Sequence, residues 1–309
     1  MERKMKKYLI LVLAIILFSF IFVFQGIYLP QNASSKEEEP FLVRRGESLS
    51  RVAENLEERG LIKNKMFFIL YAVIMGKSEN IKAGEYAVSS SMAVPEILNK
   101  FSLGERIKKT ITVIEGWNLR DISEHLKEKG IEGEIDPGLE GYLFPDTYEI
   151  SPEDGLEDIV LKMQSNFNSK FSEEMKKDAK RPLSEIVIMA SLLEKEVRTL
   201  EDKKLVSGLL WKRIEAGMRL QVDATVCYAT GRKSSQLTKE ELAIDSPYNT
   251  YKYKGLPPGP ICSPGLESIL AAVYPEDSDY WFYLSTPEGE TIFSKNFSEH
   301  EKARRAYLK

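Results

Sequence analysis

The stretch Pro182-Leu-Ser-Glu-Ile-Val-Ile-Met-Ala-Ser-Leu-Leu-Glu-Lys-Glu-Val197 organises the rest of the chain. Its apolar residues keep the i, i+3, i+4, i+7 spacing of one helical face, and others fill the flanks of that face. The main face is formed by Ile186, Met189, Ala190, Leu193 and Val197, with Val187 and Ile188 beside it. Apolar residues at this density are typical of a buried helix, so a mostly buried helix is predicted here.

Two glutamates lie near the C-terminal end of this predicted helix. Glu194 follows Val187 and Ala190 on one helical face, so we expect its side chain to lean back over an apolar turn. An acid in apolar surroundings resists ionisation near neutral pH, which is what a general acid needs. The same pattern also fits a solvated residue at the end of a buried helix.

The composition is that of an ordinary globular protein with one large core or two smaller ones. Of the 309 residues, 43% are apolar and 29% are charged, and the net charge is -4. A chain of this charge has no positive field with which to neutralise phosphates. We therefore expect no nucleic-acid partner.

The small number of histidines and cysteines limits the classes of enzyme that this chain can belong to. His125 and His300 are far apart, and the sequence contains no HExxH motif, no Cys/His cluster and no G-x-S-x-G motif. Zinc hydrolases are thereby excluded, a Ser-His-Asp hydrolase is hard to build, and no cofactor or metal is expected. Cys227 and Cys262 could pair in an oxidising compartment, but Cys227 lies in an apolar run and is interpreted as a small hydrophobic residue.

The N-terminus has the pattern of a membrane anchor. Residues 8–29 have about the length that spans a hydrocarbon core, and the basic tail 1–7 stays cytoplasmic by the positive-inside rule. A cleaved signal peptide is the alternative, but Gln25-Gly-Ile-Tyr28 offers poor cleavage chemistry. We predict a single-pass protein of the cytoplasmic (inner) membrane whose polar linker, residues 30–40, lets an extracytoplasmic part stand off the bilayer.

A weak internal repeat lies within residues 41–134. Residues 43–56 can be laid on residues 113–126 with Val, Gly, Leu and Glu in register. Each copy predicts a short strand, a glycine turn and an amphipathic helix. The first copy is similar to the LysM module, which binds glycans that contain N-acetylglucosamine. The alternative is that this region is only a spacer and packing domain.

Two stretches predict irregular loops beside a site. The first, residues 138–150, carries Tyr142, Phe144 and Tyr148 among glycine, proline and aspartate. Such aromatics can stack on sugar faces, or they can pin the loop to the core. The second, residues 245–265, is rich in proline, glycine and tyrosine and cannot be regular structure. A long ordered loop of this kind usually lines a site.

The remainder of the second half predicts helices and one hairpin. Apolar residues at helical spacing predict one helix over residues 156–180 and another after Thr199. Strands at 280–284 and 291–293 are followed by a closing helix over 298–307. The whole pattern predicts an α+β fold.

Four motifs in order resemble the YceG-like family. They are Glu140-Gly-Tyr-Leu-Phe-Pro-Asp-Thr-Tyr148, Ala190-Ser-Leu-Leu-Glu-Lys-Glu196, Leu220-Gln-Val-Asp-Ala-Thr225, and Ser246-Pro-Tyr-Asn-Thr-Tyr251 followed by Gly255-Leu-Pro-Pro-Gly-Pro-Ile261. The resemblance runs from the predicted anchor through Tyr307. It implies a single transmembrane helix, a small LysM-like α/β subdomain over residues 41–134 and a larger mixed α+β catalytic domain over residues 135–309.

Members of that family are endolytic murein transglycosylases. The resemblance implies non-hydrolytic cleavage of the β-1,4 bond between N-acetylmuramic acid and N-acetylglucosamine in nascent strands, which leaves a 1,6-anhydro end and terminates elongation. It makes Glu194 the catalytic acid/base and Glu196, on a different helical face, a supporting residue. The other residues expected around the sugar are Tyr142, Phe144, Tyr148, Ser191, Gln221, Asp223, Tyr248, Asn249 and Tyr251. Thr291 departs from the family pattern, where a histidine is expected, and no histidine-assisted role is assigned to that hairpin.

Peptidoglycan glycan strands are the expected partner, and the resemblance adds a transient association with peptidoglycan synthases in the membrane. Two other functions remain open. A non-catalytic peptidoglycan-binding scaffold on the same fold would bind murein without turnover. A hydrolase would need Asp223 to activate water.

Overall fold

The computed structural model describes residues 2–35, 37–107, 109–151, 154–233 and 237–307. The chain divides into two compact units, and each has its own hydrophobic core. The first unit comprises residues 1–109 and 150–153, and the second comprises residues 110–149 and 154–309.

The first unit begins with a long apolar helix, α1 (Glu2–Tyr28). Its segment Met5–Tyr28 has a mean hydropathy of 2.8 over the most apolar 18-residue window, and by length and composition it can cross a membrane. Most of its apolar side chains are exposed, Phe18 by 73%. A surface this apolar is unfavourable in water and matches a hydrocarbon environment.

The C-terminal end of α1 packs into the first unit. Ile27 is 5% exposed and belongs to the core of that unit, and the amide of Asn32 donates to the Ser90 carbonyl over 2.8 Å. The end of α1 is therefore part of the packing of this unit, and the linker role of residues 30–40 stays a prediction.

The rest of the first unit is a two-stranded sheet covered by three helices. Strand β1 (Glu39–Val43) pairs antiparallel with β2 (Gly84–Val88), and Phe41 lies opposite Tyr86. The helices are α2 (Leu49–Glu58), α3 (Lys65–Ile74) and α4 (Val94–Leu103). The side chains of Ser48 and Asn64 accept hydrogen bonds from backbone amides in the first turns of α2 and α3, which stabilises both helix starts.

The second copy of the repeat also forms a strand, a turn and a helix. Strand β3 (Lys109–Thr112) leads through Gly116, whose φ of 81° suits glycine, to α5 (Leu119–Glu128). The predicted local structure of both copies is confirmed. The copies lie in different compact units, however, because β3 pairs with β4 (Thr147–Ile150), and the division falls at Lys109 and not at residue 134.

A series of helices builds the second unit. They are α6 (Leu156–Lys170), α7 (Glu173–Asp178), α8 (Leu183–Glu196), α9 (Leu200–Glu215), α10 (Asp223–Thr230) and α11 (Leu266–Val273). The single helix predicted over 156–180 is wrong. The chain leaves helical geometry at Phe171, and the Ser172 hydroxyl then accepts from the Met175 amide over 3.2 Å and starts α7.

Helix α8 lies at the centre of the second core, as its sequence predicts. Every residue from 186 to 193 is buried, and α8 packs against α9 and α11. The approach of α9 to the segment after α11 is close, since a Cβ added at Gly208 would lie 1.9 Å from the Glu276 carbonyl oxygen. Only glycine fits there without a backbone shift.

A hairpin and a helix end the second unit. Strand β5 (Phe282–Ser285) pairs antiparallel with β6 (Thr291–Ser294), and α12 (Phe297–Tyr307) follows. The buried guanidinium of Arg213 donates to the Leu220 carbonyl over 2.7 Å and, through two nitrogens, to the Trp281 carbonyl. This one side chain ties α9 to the start of the hairpin and to the bend before α10.

Candidate active site

The second unit contains a cleft of about 890 Å³. This volume is in the range of sites that hold small molecules or short stretches of polymer. Its walls come from the start of α5, the end of α8, α10 and the loops around residues 140 and 246. The acidic residues that line it are Glu140, Glu196, Asp223 and Asp121, and the exposed basic residues are Arg120, Lys195, Arg232 and Lys233.

Glu196, the last residue of α8, lines the cleft. The Tyr283 hydroxyl donates a hydrogen bond to its carboxylate over 2.7 Å. The pKa of Glu196 is raised to about 7, mainly by burial; the charge of Asp223 adds to the rise, and the hydrogen bonds from Tyr283 and from the Ala224 amide act against it. A carboxyl group with this pKa can both give and accept a proton near neutral pH.

Asp223 is the second carboxylate in this part of the cleft. It begins α10, and the Tyr251 hydroxyl donates to its Oδ1. Burial raises the pKa of Tyr251, and this hydrogen bond to the aspartate raises it further, so the phenol stays a donor. The arrangement places a second carboxylate near Glu196, and the sugar contact expected of Asp223 stays a prediction.

The backbone just before α10 is strained. Gln221 has a φ of 57°, and it is the non-glycine residue with positive φ in the described chain. Its amide donates to the Thr250 carbonyl over 3.2 Å, and the next amide, of Val222, donates to the Thr250 hydroxyl over 3.0 Å. A left-handed conformation is unfavourable for glutamine and persists because these bonds impose it. The exposed Gln221 side chain is not part of the cleft lining.

Glu140 and Tyr228 form a partly buried acid–tyrosine pair that was not predicted from the sequence. Glu140 is 8% exposed and lines the cleft, where its carboxylate accepts from the Leu119 amide over 3.3 Å and from the Tyr228 hydroxyl over 3.1 Å. Burial raises the pKa of Glu140. The Tyr228 ring packs against Tyr248, with centroids 4.9 Å apart. Glu140 begins the first of the four motifs, but no periodicity marks it as part of a site.

Glu194 lies on another side of α8. Its Oε2 accepts from the Gly265 amide over 3.0 Å and from the Ser268 hydroxyl over 2.6 Å, and lies 3.5 Å from the Lys203 ammonium. The expected apolar surroundings are wrong, because three donors surround this oxygen. Two helical steps of about 100° separate Glu194 from Glu196. Glu194 is not among the described residues that line the cleft, and its catalytic role stays a prediction.

Several predicted sugar contacts lie in the protein interior. Phe144 and Tyr148 are 4% and 7% exposed, and Ser191 and Asn249 are fully buried. The Ser191 hydroxyl accepts from the Ile261 amide, and the Asn249 amide group donates to two backbone carbonyls of its own loop. Tyr142 is half-buried against Phe167. These side chains hold the loops in place, and their sugar contacts stay predictions.

The cysteines do not pair. Cys227 lines the cleft, whereas Cys262 is buried and its thiol donates to the Ser191 carbonyl over 3.4 Å. Burial raises the pKa of both thiols, so neither is a reactive thiolate. Within the described ranges, no three His, Cys, Asp or Glu side chains are grouped so that they could hold a metal ion.

The fold and the cleft belong to a known class. The chain is a member of the YceG-like family, whose model matches residues 41–306. It is 32% identical to the endolytic murein transglycosylase of Bacillus subtilis (strain 168), over 90% of this chain and 87% of that protein. It is 28% identical to the endolytic murein transglycosylase of Streptococcus pneumoniae serotype 2, over 89% of this chain and 59% of that protein.

A solved structure shares the fold. The crystal structure at 2.6 Å of a YceG-like protein from Listeria monocytogenes is 31% identical in sequence and superposes with a TM-score of 0.56. The match covers 87% of this chain and all of that one. The mixed α+β architecture predicted from the sequence is thereby confirmed, whereas the glycan-binding LysM character of residues 41–134 is not.

Proposed function

We propose that this chain is a peptidoglycan lytic transglycosylase. Its relatives carry that activity in their names, and its cleft holds a carboxyl group suited to acid-base work. The observation that carries the proposal is the Glu196 carboxyl group, which lines a cleft of about 890 Å³ together with Asp223 and accepts a hydrogen bond from the Tyr283 hydroxyl. We assign the acid to Glu196, which lines the cleft, and Glu194 stays the alternative acid that the family resemblance implies.

The reaction needs one carboxyl group. Protonated Glu196 donates to the oxygen that joins C1 of N-acetylmuramic acid to N-acetylglucosamine, and the C1–O bond breaks. The resulting carboxylate accepts the proton of the C6 hydroxyl of the same muramoyl residue, whose oxygen closes on C1. The products are a free hydroxyl on the N-acetylglucosamine side and a 1,6-anhydro end, and Glu196 is protonated again.

The neighbours of Glu196 support this sequence of steps. The Asp223 carboxylate, held by the Tyr251 hydroxyl, stabilises the positive charge that develops at C1 when the bond breaks. The paired rings of Tyr228 and Tyr248 provide an apolar wall on which a sugar face can pack.

Product masses test the proposed reaction. The full chain, in mild detergent, is incubated with uncrosslinked polymeric glycan, and the products are weighed. We expect fragments lighter by one water than hydrolytic fragments, with internal lengths present at the earliest times. Products that retain the water would identify a hydrolase, and glycan binding without any fragments would identify the scaffold.

We further propose that α1 anchors the protein in the cytoplasmic membrane, with residues 1–7 inside and the second unit outside. The basic tail and the apolar length of α1 support this orientation. A transient association with peptidoglycan synthases would place the site beside new strands. Protease added to intact spheroplasts should digest the chain beyond residue 30. Its full protection until the membrane is opened would overturn the orientation.

A further inference from the structure

Helix α3 presents apolar residues on two faces. Phe68 and Ala72 are buried in the core of the first unit. The outward face carries Met66, Leu70, Val73 and Ile74, which are exposed by 62%, 40%, 58% and 67%. Their i, i+4, i+7, i+8 spacing makes one continuous stripe. A helix that is apolar on both sides is typical of a buried or membrane-bound position, and this stripe is covered by no part of the described first unit.

The same helix lies against the predicted membrane span. The Phe67 ring packs edge-on against Phe22, with centroids 5.6 Å apart, and a Cβ added at Gly26 would lie 2.3 Å from Phe67. Phe22 belongs to the uninterrupted apolar run of α1. The start of α3 therefore lies beside the C-terminal end of the apolar run of α1.

Polar groups at this level fit a membrane interface. Tyr28 and Tyr71 pack edge-on with centroids 6.1 Å apart, and tyrosines are enriched where lipid headgroups begin. The Lys63 ammonium donates to the Gln25 carbonyl over 3.5 Å, next to the end of the apolar run. A lysine here can keep its charge among headgroups while its stem lies along apolar surface.

We infer that the exposed stripe of α3 inserts into the interfacial region of the outer leaflet. This inference rests on the proposal that α1 spans the membrane. The occupant of the stripe is lipid, because the same helix packs through Phe67 and Tyr71 against Phe22 and Tyr28 of the apolar helix α1. The first unit is thus held to the bilayer by two elements, the span and α3, and does not swing on a tether.

Quenching by brominated lipid tests this contact. The full chain is placed at one copy per nanodisc, so that no second copy can cover the stripe. Trp replaces Ile74 in one variant (I74W) and the equally exposed Leu161 of the second unit in the control (L161W). The tryptophan fluorescence of the wild-type chain, which comes from Trp117, Trp211 and Trp281, is subtracted from that of each variant. We expect lipids brominated along the acyl chain to remove at least half of the emission added by I74W and little of that added by L161W.

Two results would contradict different steps. If I74W is quenched no more than L161W while the protein remains in the nanodisc, lipid does not cover the stripe and the inference is overturned. If the wild-type chain fails to enter nanodiscs or to float with vesicles, the spanning role proposed for α1 fails, and the inference about α3 fails with it. The I74W substitution changes an exposed side chain, so the buried core of the first unit is unaffected.

Discussion

Replacement of Glu196 by glutamine is expected to lower the yield of 1,6-anhydro products by about 10²–10⁴-fold, the usual contribution of a general acid. Glutamine keeps the shape of the side chain and can still accept from the Tyr283 hydroxyl, but it cannot supply a proton. The fold should therefore persist. The measurement is the initial rate of product formation on uncrosslinked glycan, normalised to the folded fraction.

Glu194 provides a matched control only two residues away on α8. Glu194→Gln keeps an acceptor for the Gly265 amide and the Ser268 hydroxyl, so most of the activity per folded molecule should remain. The opposite pattern, with Glu194→Gln inactive and Glu196→Gln active, would show that Glu194 is the acid, as the family resemblance implies. The assignment of Glu196 from its position in the cleft would then be wrong.

The pH dependence follows from the pKa of Glu196. Its folded-state pKa is raised to about 7, so the proton needed for catalysis is present below that pH and is lost as the pH rises through it. We expect kcat/KM to fall above about pH 7. Burial is the main cause of the shift and the Asp223 charge adds to it, so Asp223→Asn should move the fall to lower pH. If kcat/KM of this variant falls at the same pH as that of the wild type, the charge of Asp223 does not raise the pKa of Glu196.

Local structure was predictable wherever a pattern repeats along the chain. The apolar spacing in α8 and the strand-turn-helix copies are written in neighbouring residues, and both formed as expected. The break at Phe171 was missed because the same apolar spacing continues beyond it. A single N-cap residue, Ser172, marks the start of α7, and it is a weaker sequence signal than the apolar repeat.

The site was harder to predict. Helix α8 is apolar on all sides, so its sequence does not show which side faces a cleft. Which of Glu194 and Glu196 meets the cleft depends on the elements packed around α8, and those come from residues far along the chain. The position of Glu140 depends likewise on Leu119 and Tyr228, which tertiary structure alone brings to it. Aromatic residues on a glycine-rich loop could equally face solvent or core, and Phe144 and Tyr148 face the core.

The pairing of Glu194 with Lys203 is expected to be structural, and its removal should destabilise the fold. Lys203 is 4% exposed and its ammonium lies 3.5 Å from Glu194 Oε2. Removing one partner of a buried ion pair leaves an uncompensated charge, which costs about 3–5 kcal/mol. We expect Glu194→Met to lower the free energy of unfolding by about 3 kcal/mol, the lower end of that range. Burial raises the pKa of Glu115 and the nearby Lys203 charge acts against this rise, so Glu115 is a second acidic neighbour of the lysine.

A double variant separates this ion pair from simple packing. When Lys203 is also replaced by methionine, no buried charge remains unpaired, and most of the loss should be recovered. The free energy of unfolding is measured by urea denaturation in mild detergent at pH 7, for both single variants and the double variant. If the double variant loses the sum of the single losses, the two charges are not coupled. Recovery of stability in the double variant, together with loss of activity in Glu196→Gln, would show that Glu194 stabilises the fold and that Glu196 takes part in the reaction.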